Sequence, residues 1–409
     1  MGIAAEPAMP VIPDHVPPEL VLPFDPWDNL ADRPHEALAR AQAFGRVVYS
    51  PRHHIVGYAP NGCWMVTRAK EARDLLLDTA TFSSEHTTGI PEALGGTFKL
   101  APIEADPPEH GVARGLLNPI FLPRNVRRFD GKARERAAAL IEGFAARGTC
   151  DFVRDFAKIL PSEMFLDLVG LPHERLPEFL EWEELIMGST CFEDRLKGLR
   201  SVADYLRGEI RDRAENPADD VLSLVVNTPV EGRRRTEDEA LGTALLLYIA
   251  GLDTVTNSLA WHFRHLAENP ADQQFLRENP SEIPRAVEEM FRAYSIVSLT
   301  RRVVRDTEFH GVPMRAGDVV SLPTTLASRD EEEFAGAGAV DFRHGPRRHL
   351  TFGFGPHICI GMHLAKVEIV ASIDVWLRTL PPFRVSEGEE IRCSGGAVLT
   401  VHNLPLTWA

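Results

Sequence analysis

Cys359 lies in the run Phe352-Gly353-Phe354-Gly355-Pro356-His357-Ile358-Cys359-Ile360-Gly361, and an apolar helical pattern follows it. A thiolate in such a setting suits the axial position of a haem iron, where it pushes electron density onto the metal and favours O–O cleavage. Gly353 and Gly355 can take positive φ and let backbone pass close to a flat ring. Gly361 leaves room beside the sulfur. Residues from about Ile360 to Arg378 predict a buried helix, with Leu364, Val367, Val370, Ile373, Val375, Trp376 and Leu377 around most of its circumference. Its free N–H groups and dipole would stabilise a negative sulfur and tune the iron. A buried structural cysteine is the bland alternative. The length of the Phe-Gly-x-Gly-x-x-x-Cys-x-Gly pattern favours the ligand.

A second set of residues suits proton transfer. A long helix is predicted over about Glu237–Glu268, and Ala250-Gly251-Leu252-Asp253-Thr254 falls inside its apolar stretch. An acid and a hydroxyl there are costly unless satisfied. Thr254 can bond back to the i−4 carbonyl, and Gly251 weakens the helix and admits a ligand. The expectation is a widened turn with Thr254 as hydrogen-bond donor and Asp253 feeding protons from solvent. The alternative is a kink whose aspartate caps a neighbouring element.

Two further groups could hold the site together. Glu289 and Arg292 lie three apart on a helix starting near Pro284 and share a face. They form either a surface ion pair or a buried Arg fork that also bonds backbone of the loop before Cys359. Asp106-Pro107-Pro108-Glu109-His110 opens another helix, which puts His110 and Arg114 on one face. With Arg301 and His357, these cations suit haem propionates; a solvated charged face is the alternative.

The elements that must position these groups are mostly helical. Helical patterns dominate from about residue 108 to 300, including Gly131–Ala146, Arg154–Val169 and Leu196–Glu215. Short alternating segments near 45–67, 301–322 and 383–407 predict small sheets. Turn-rich pieces near 51–63, 86–108 and 227–236 do not separate cores. The 409 residues read as a Pro-rich N-terminal arm (1–30) and one catalytic unit (31–409). A net charge of −15 argues against a nucleic-acid partner. Five scattered cysteines without a CxxC pair suit a reducing cytosol and argue against a disulfide framework. The longest apolar run, Leu245–Leu252, is too short to span a bilayer. A soluble, cytoplasmic, monomeric protein is expected.

With these residues in place, the chain resembles the cytochrome P-450 family of haem-thiolate monooxygenases, and within it the bacterial camphor 5-monooxygenase group. Further stretches carry the resemblance: Ile12-Pro13-Asp14-His15-Val16-Pro17, Phe82-Ser83-Ser84-Glu85, Glu308-Phe309-His310-Gly311-Val312 and Leu404-Pro405-Leu406-Thr407-Trp408. The resemblance implies a mainly α fold, a triangular helical prism with small β-sheets. It also implies haem b with Cys359 as proximal ligand, and an Asp253/Thr254 relay that delivers protons for dioxygen cleavage. Phe352, Gly353, Gly355 and Gly361 would flank the haem. Electrons would come from NADH through a ferredoxin reductase and a [2Fe-2S] ferredoxin. That partner is acidic in related systems, so Arg73, Arg114, Arg347 and Arg348 are candidates for its docking surface.

The departures bear on the substrate. The camphor enzyme bonds its ketone through a tyrosine hydroxyl, and the corresponding position here is Phe98, in Gly95-Gly96-Thr97-Phe98-Lys99. A phenyl ring cannot donate that bond, so the preference for one carbonyl orientation should be lost. Thr97 or Thr88 is the alternative hydroxyl. Leu246, Ile249, Gly251, Val297 and Leu299 are expected to face the substrate. The reading is hydroxylation of a compact apolar terpenoid, a cyclic monoterpene ether such as cineole or a norisoprenoid, with camphor a weaker ligand. A peroxide-driven peroxygenase and a non-catalytic haem- or terpene-binding sensor are the rivals.

Overall fold

The computed structural model describes residues 11–27, 30, 34–51, 62–189, 191–230, 232–345 and 347–409. Residues 1–10, 28 and 29 of the expected N-terminal arm, and residues 52–61 of the first turn-rich piece, lie outside that set. Residues 11–27 pack onto the body. Val16 and Leu22 are buried, and the Leu22 N–H donates to the Tyr49 carbonyl at 2.8 Å.

Two long helices set the geometry. The first, Glu237–Glu268, begins at a capping box in which Thr236 and Glu239 each satisfy the other's backbone N–H. Glu237, Asp238 and Glu239 complement the positive end of its dipole. Its middle is apolar on nearly all sides, which makes it a core helix. By length and composition alone it would cross a membrane, but 72% of its apolar window is buried in the protein itself. The helix passes so close to Lys99 that a Cβ on Gly242 would sit 2.1 Å from the Lys99 carbonyl oxygen. Only glycine fits there.

The second, Met362–Thr379, starts directly after the Cys359 loop and packs along helix Phe129–Ala145. Aromatic rings tie the two long helices together. Phe263 stacks on Phe152 with ring centroids 4.1 Å apart, and meets Trp376 edge-on at 5.1 Å. Such pairs each add about 0.5–1.5 kcal/mol beyond burial.

A five-stranded sheet lies to one side, in the order Val47–Ser50, Cys63–Val66, Val319–Pro323, Ser298–Val303, Phe82–Ser83. Cys63–Val66 runs parallel to Val319–Pro323 and the other pairings are antiparallel. In Ser298–Val303, Leu299 pairs with Leu322 and Arg301 with Val320. Alternation then places Leu299 and Arg301 on one face of the sheet. The remaining strands form a three-stranded sheet and two hairpin pairs. Strand Thr149–Asp151 falls between two of the expected helices, inside the stretch where helical patterns dominate, because it pairs with Pro405–Trp408 at the far end of the chain.

Candidate active site

Between the two long helices lies a cavity of about 270 Å³. The Cys359 sulfur opens into it and is enclosed by protein on its other sides. The loop is closed by the Cys359 N–H, which donates to the Phe352 carbonyl at 2.7 Å. Gly353 and Gly355 both have positive φ, +73° and +71°. A Cβ on Gly355 would press on the Leu76 carbonyl at 3.1 Å, so the loop lies tight against helix Ala69–Leu77. Burial pushes the free thiol up, while the N–H groups of Gly361 and Met362 and the Arg114 charge pull it back. A metal at the sulfur would settle that balance as thiolate.

His110, Arg114 and His357 line the cavity; Arg301 does not, but it lies close enough to act on both histidines. The His110 and His357 rings lie 4.1 Å apart, and Arg114 donates to the Ile358 carbonyl at 2.6 Å. Arg301 is buried in its strand, and among the described residues neither its Nε nor His110 Nε2 has a partner. Burial lowers His357 to about 3, helped by the charges of Arg301, His110 and Arg114. Burial likewise lowers Arg301 to about 10, with Asp106 opposing weakly. A buried and a half-buried guanidinium beside imidazoles that burial keeps neutral, with polar nitrogens left open, are costly. Two propionates would supply the missing anions, so these residues fit haem. His110, Arg114, Arg301 and His357 would hold the propionates, and Phe352, Gly353, Ile360 and Gly361 line the cavity beside the sulfur.

Arg301→Gln tests this. A hydrogen bond to a charged group is worth about 1.5–3 kcal/mol. Haem release to an excess acceptor apoprotein should therefore quicken about ten- to a hundredfold. An unchanged release rate would remove Arg301 from the cofactor site.

Thr254 and Asp253 are neighbours on a helix, so they point about 100° apart. Thr254 lines the cavity, and its hydroxyl donates to the Ala250 carbonyl at 2.8 Å. Asp253 faces away from it. The Asp253 Oδ1 accepts from Asn257 at 2.9 Å, and Oδ2 has no partner among the described residues. Burial lifts Asp253 to about 6. The expected widened turn is not formed: the helix runs unbroken from Glu237 to Glu268. The i−4 bond of Thr254 satisfies its hydroxyl without breaking the helix. Gly251 supplies room, since a Cβ there would meet only Phe165 at 3.8 Å.

The remaining expected residues divide. Leu246, Gly251, Val297 and Leu299 line the cavity; Phe98, Thr88 and Ile249 do not. Phe98 is a core ring packed against Gly96 and Gly242. The Thr88 hydroxyl is committed to Glu104 at 2.8 Å. Ile249 turns toward a second, smaller cavity with Asp253. Sequence reasoning missed Pro161, Phe165 and Leu168, which helix Ile159–Val169 brings to the distal wall. It also missed Glu368, a fully buried acid on the cavity wall whose Oε2 has no partner among the described residues. An acid in the apolar helix after Cys359 was the available signal. Glu289 and Arg292 form a buried fork, and Arg292 also bonds carbonyls between residues 328 and 339. Arg73 pairs with Glu333 at 2.9 Å and donates to the Arg348 carbonyl at 2.9 Å. Arg348 is exposed. The Arg347 Nη1 is buried. Arg114 turns inward, which removes it from the docking candidates.

A cysteine loop facing the cavity, a cluster of arginines and histidines that fits haem propionates, and a helix carrying Gly-x-Asp-Thr across the cavity are the features of a haem-thiolate protein. The chain belongs to the cytochrome P450 family. Residues 199–392 match the family model for cytochrome P450. A probable cytochrome P450 127A1 from Sinorhizobium fredii (strain NBRC 101917 / NGR234) is 40% identical, over 97% of both chains. The crystal structure of CYP101J2 superposes with a TM-score of 0.86 at 32% identity, covering 98% of this chain and all of that one. CYP101C1 gives 0.87 at the same identity and coverage. The protein is thus a P450 monooxygenase, an oxidoreductase with haem as cofactor.

Proposed function

We propose that this monooxygenase hydroxylates an unactivated C–H bond of a compact apolar terpenoid, a cyclic monoterpene ether such as cineole or a norisoprenoid. The observation that carries the reading is the distal wall. Pro161, Phe165, Leu168, Leu246 and Leu247 line it, and none offers a hydrogen-bond donor. The Thr254 hydroxyl already donates to Ala250. A substrate there is held by shape and apolar burial, not by a fixed bond to a carbonyl.

The haem supplies the iron at which dioxygen is activated and one oxygen atom is inserted. The chain's own residues do the rest. Cys359 would supply its thiolate to the haem iron. His110, Arg114, Arg301 and His357 would hold the propionates. Leu246, Val297 and Leu299 place the substrate and exclude water. Thr254 presents its hydroxyl oxygen to the reacting centre, and Asp253 renews the proton that the hydroxyl gives up. Electrons reach the protein from NADH through a ferredoxin reductase and a [2Fe-2S] ferredoxin, with the exposed Arg348 and the adjacent Arg73 contributing to docking. Residues 31–409 act as one catalytic unit that is soluble, cytoplasmic and monomeric. Five scattered cysteines without a CxxC pair support a reducing, cytoplasmic setting.

Spectral titration of the holoprotein tests the substrate. Cineole or ionone should drive the iron to high spin, and camphor should do so less completely. A full shift with camphor and none with the other two would overturn the assignment. Turnover with NADH and the redox partners should also exceed turnover with peroxide alone; the reverse would make the protein a peroxygenase.

A further inference from the structure

Asp253 does not stand alone in its pocket. On the side away from the haem cavity, a void of about 10 Å³ is lined by Glu183, Ile186, Met187, Tyr248, Ile249, Leu252 and Asp253. Such a volume holds about one water. Two carboxyl oxygens there, Asp253 Oδ2 and Glu183 Oε2, are buried and have no partner among the described residues. Buried acids left open in this way need a proton or a water between them.

We infer that Glu183 is the proton donor to Asp253, passing protons from the protein surface across a single bridging water. The inference rests on the monooxygenase reading and adds the route by which its protons arrive.

The surroundings link the pair to the protein surface. Glu183 sits at the C-terminal end of helix Leu176–Glu183, next to Glu184, which is exposed and pairs with Lys158. Lys158 acts electrostatically on both acids. Ser162 also faces Glu183. Tyr248 lines the void, but its hydroxyl donates to the Phe179 carbonyl at 3.1 Å, so it does not compete. Asn257 fixes Asp253 Oδ1 and leaves Oδ2 turned elsewhere. Burial, reinforced by the Asp253 charge, lifts Glu183 to about 8, while Asp253 lies at about 6. At neutral pH the pair therefore holds one proton, mainly on Glu183. Two acids whose environments push them apart divide naturally into donor and acceptor. In each transfer a Glu183 O–H breaks and an Asp253 O–H forms. Asp253 then renews the Thr254 hydroxyl proton, and Glu183 regains its own from water at the Lys158–Glu184 surface. Glu183 acts through Asp253 and is a positioning and supply residue, not a catalytic one.

The test uses holoprotein and needs no turnover for its first arm. Infrared difference titration should show buried carboxyl steps near pH 6 and pH 8. Glu183→Gln should delete the upper step, and Asp253→Asn should move it down, because the charge that raised it is gone. The folded-state value of Glu183 is raised, so it stabilises the fold below its unfolded value and that contribution is lost as pH rises toward 8. The thermal midpoint should fall over that range in the wild type and stay flatter in Glu183→Gln. With the redox partners, Glu183→Gln should slow turnover toward the lower end of the 10²–10⁴-fold range typical of proton-transfer groups, roughly a hundredfold. It should also abolish the decline of rate above about pH 8. An upper step that survives Glu183→Gln, or stays in place in Asp253→Asn, overturns the pairing. An unchanged pH–rate profile overturns the supply role. Absence of hydroxylated product in the wild type, with both titration steps intact, would instead indict the monooxygenase reading.

Discussion

Cys359→Ser is expected to abolish oxygen-insertion turnover while leaving the polypeptide folded. The structural cost is small. The sulfur opens into the cavity, and loop closure rests on the Cys359 backbone N–H, the Gly353 N–H to Leu350 and the helix cap at Gly361. None of these needs the side chain. The chemical cost is large. A serine hydroxyl donates far less electron density than a thiolate, and that push is what the haem-thiolate site provides for O–O cleavage. The N–H groups of Gly361 and Met362 would then face a neutral hydroxyl in place of an anion. Circular dichroism should match the wild type. The reduced carbon monoxide complex should lose its thiolate-type Soret band, and product formation should fall below detection. Retained turnover in a folded Cys359→Ser variant would show that another residue carries the axial role.

Parts of this arrangement are legible in the sequence because they are local. The Cys359 loop carries its own glycines, and the helix Glu237–Glu268 carries its own cap and apolar run. The cation cluster is partly legible. His110 and Arg114 share a helix face, but Arg301 joins them only through the register that pairs it with Val320. What fails to show is long-range. Strand Thr149–Asp151 exists because Cys150 meets Leu406 across most of the chain. Phe98 looks like a substrate residue by position, yet the close passage at Gly242 turns it into core. Asp253 reads as part of the haem pocket because it adjoins Thr254, and helical geometry sends it the other way, toward Glu183 on a different helix. Propensity and spacing give the faces of a helix but not what each face meets.

Arg292→Ala should destabilise the protein by about 3–5 kcal/mol, the cost of breaking a buried pair from one side. The Arg292 side chain is fully buried. Its fork donates to both Glu289 oxygens, at 2.9 and 2.7 Å, and to the carbonyls of Ser328, Ala337 and Ala339 at 3.1, 3.0 and 2.8 Å. Truncation leaves a buried carboxylate without its counter-ion and carbonyls without donors. Glu289 also accepts from the Asp341 N–H, so the damage extends along the segment that leads into the Cys359 loop. Arg292→Lys should rescue little, because an ammonium cannot reproduce a planar fork. Replacing buried ion pairs by apolar residues is often neutral elsewhere. Here Glu289→Met with Arg292→Met should remain strongly destabilised, since the carbonyls of Ser328, Ala337 and Ala339 depend on the guanidinium and not on Glu289. Urea unfolding of the three variants measures the loss, and haem release should quicken with it. Recovery of wild-type stability in the double variant would reduce the fork to a simple ion pair; persistence of the loss identifies Arg292 as the clamp that shapes the approach to Cys359.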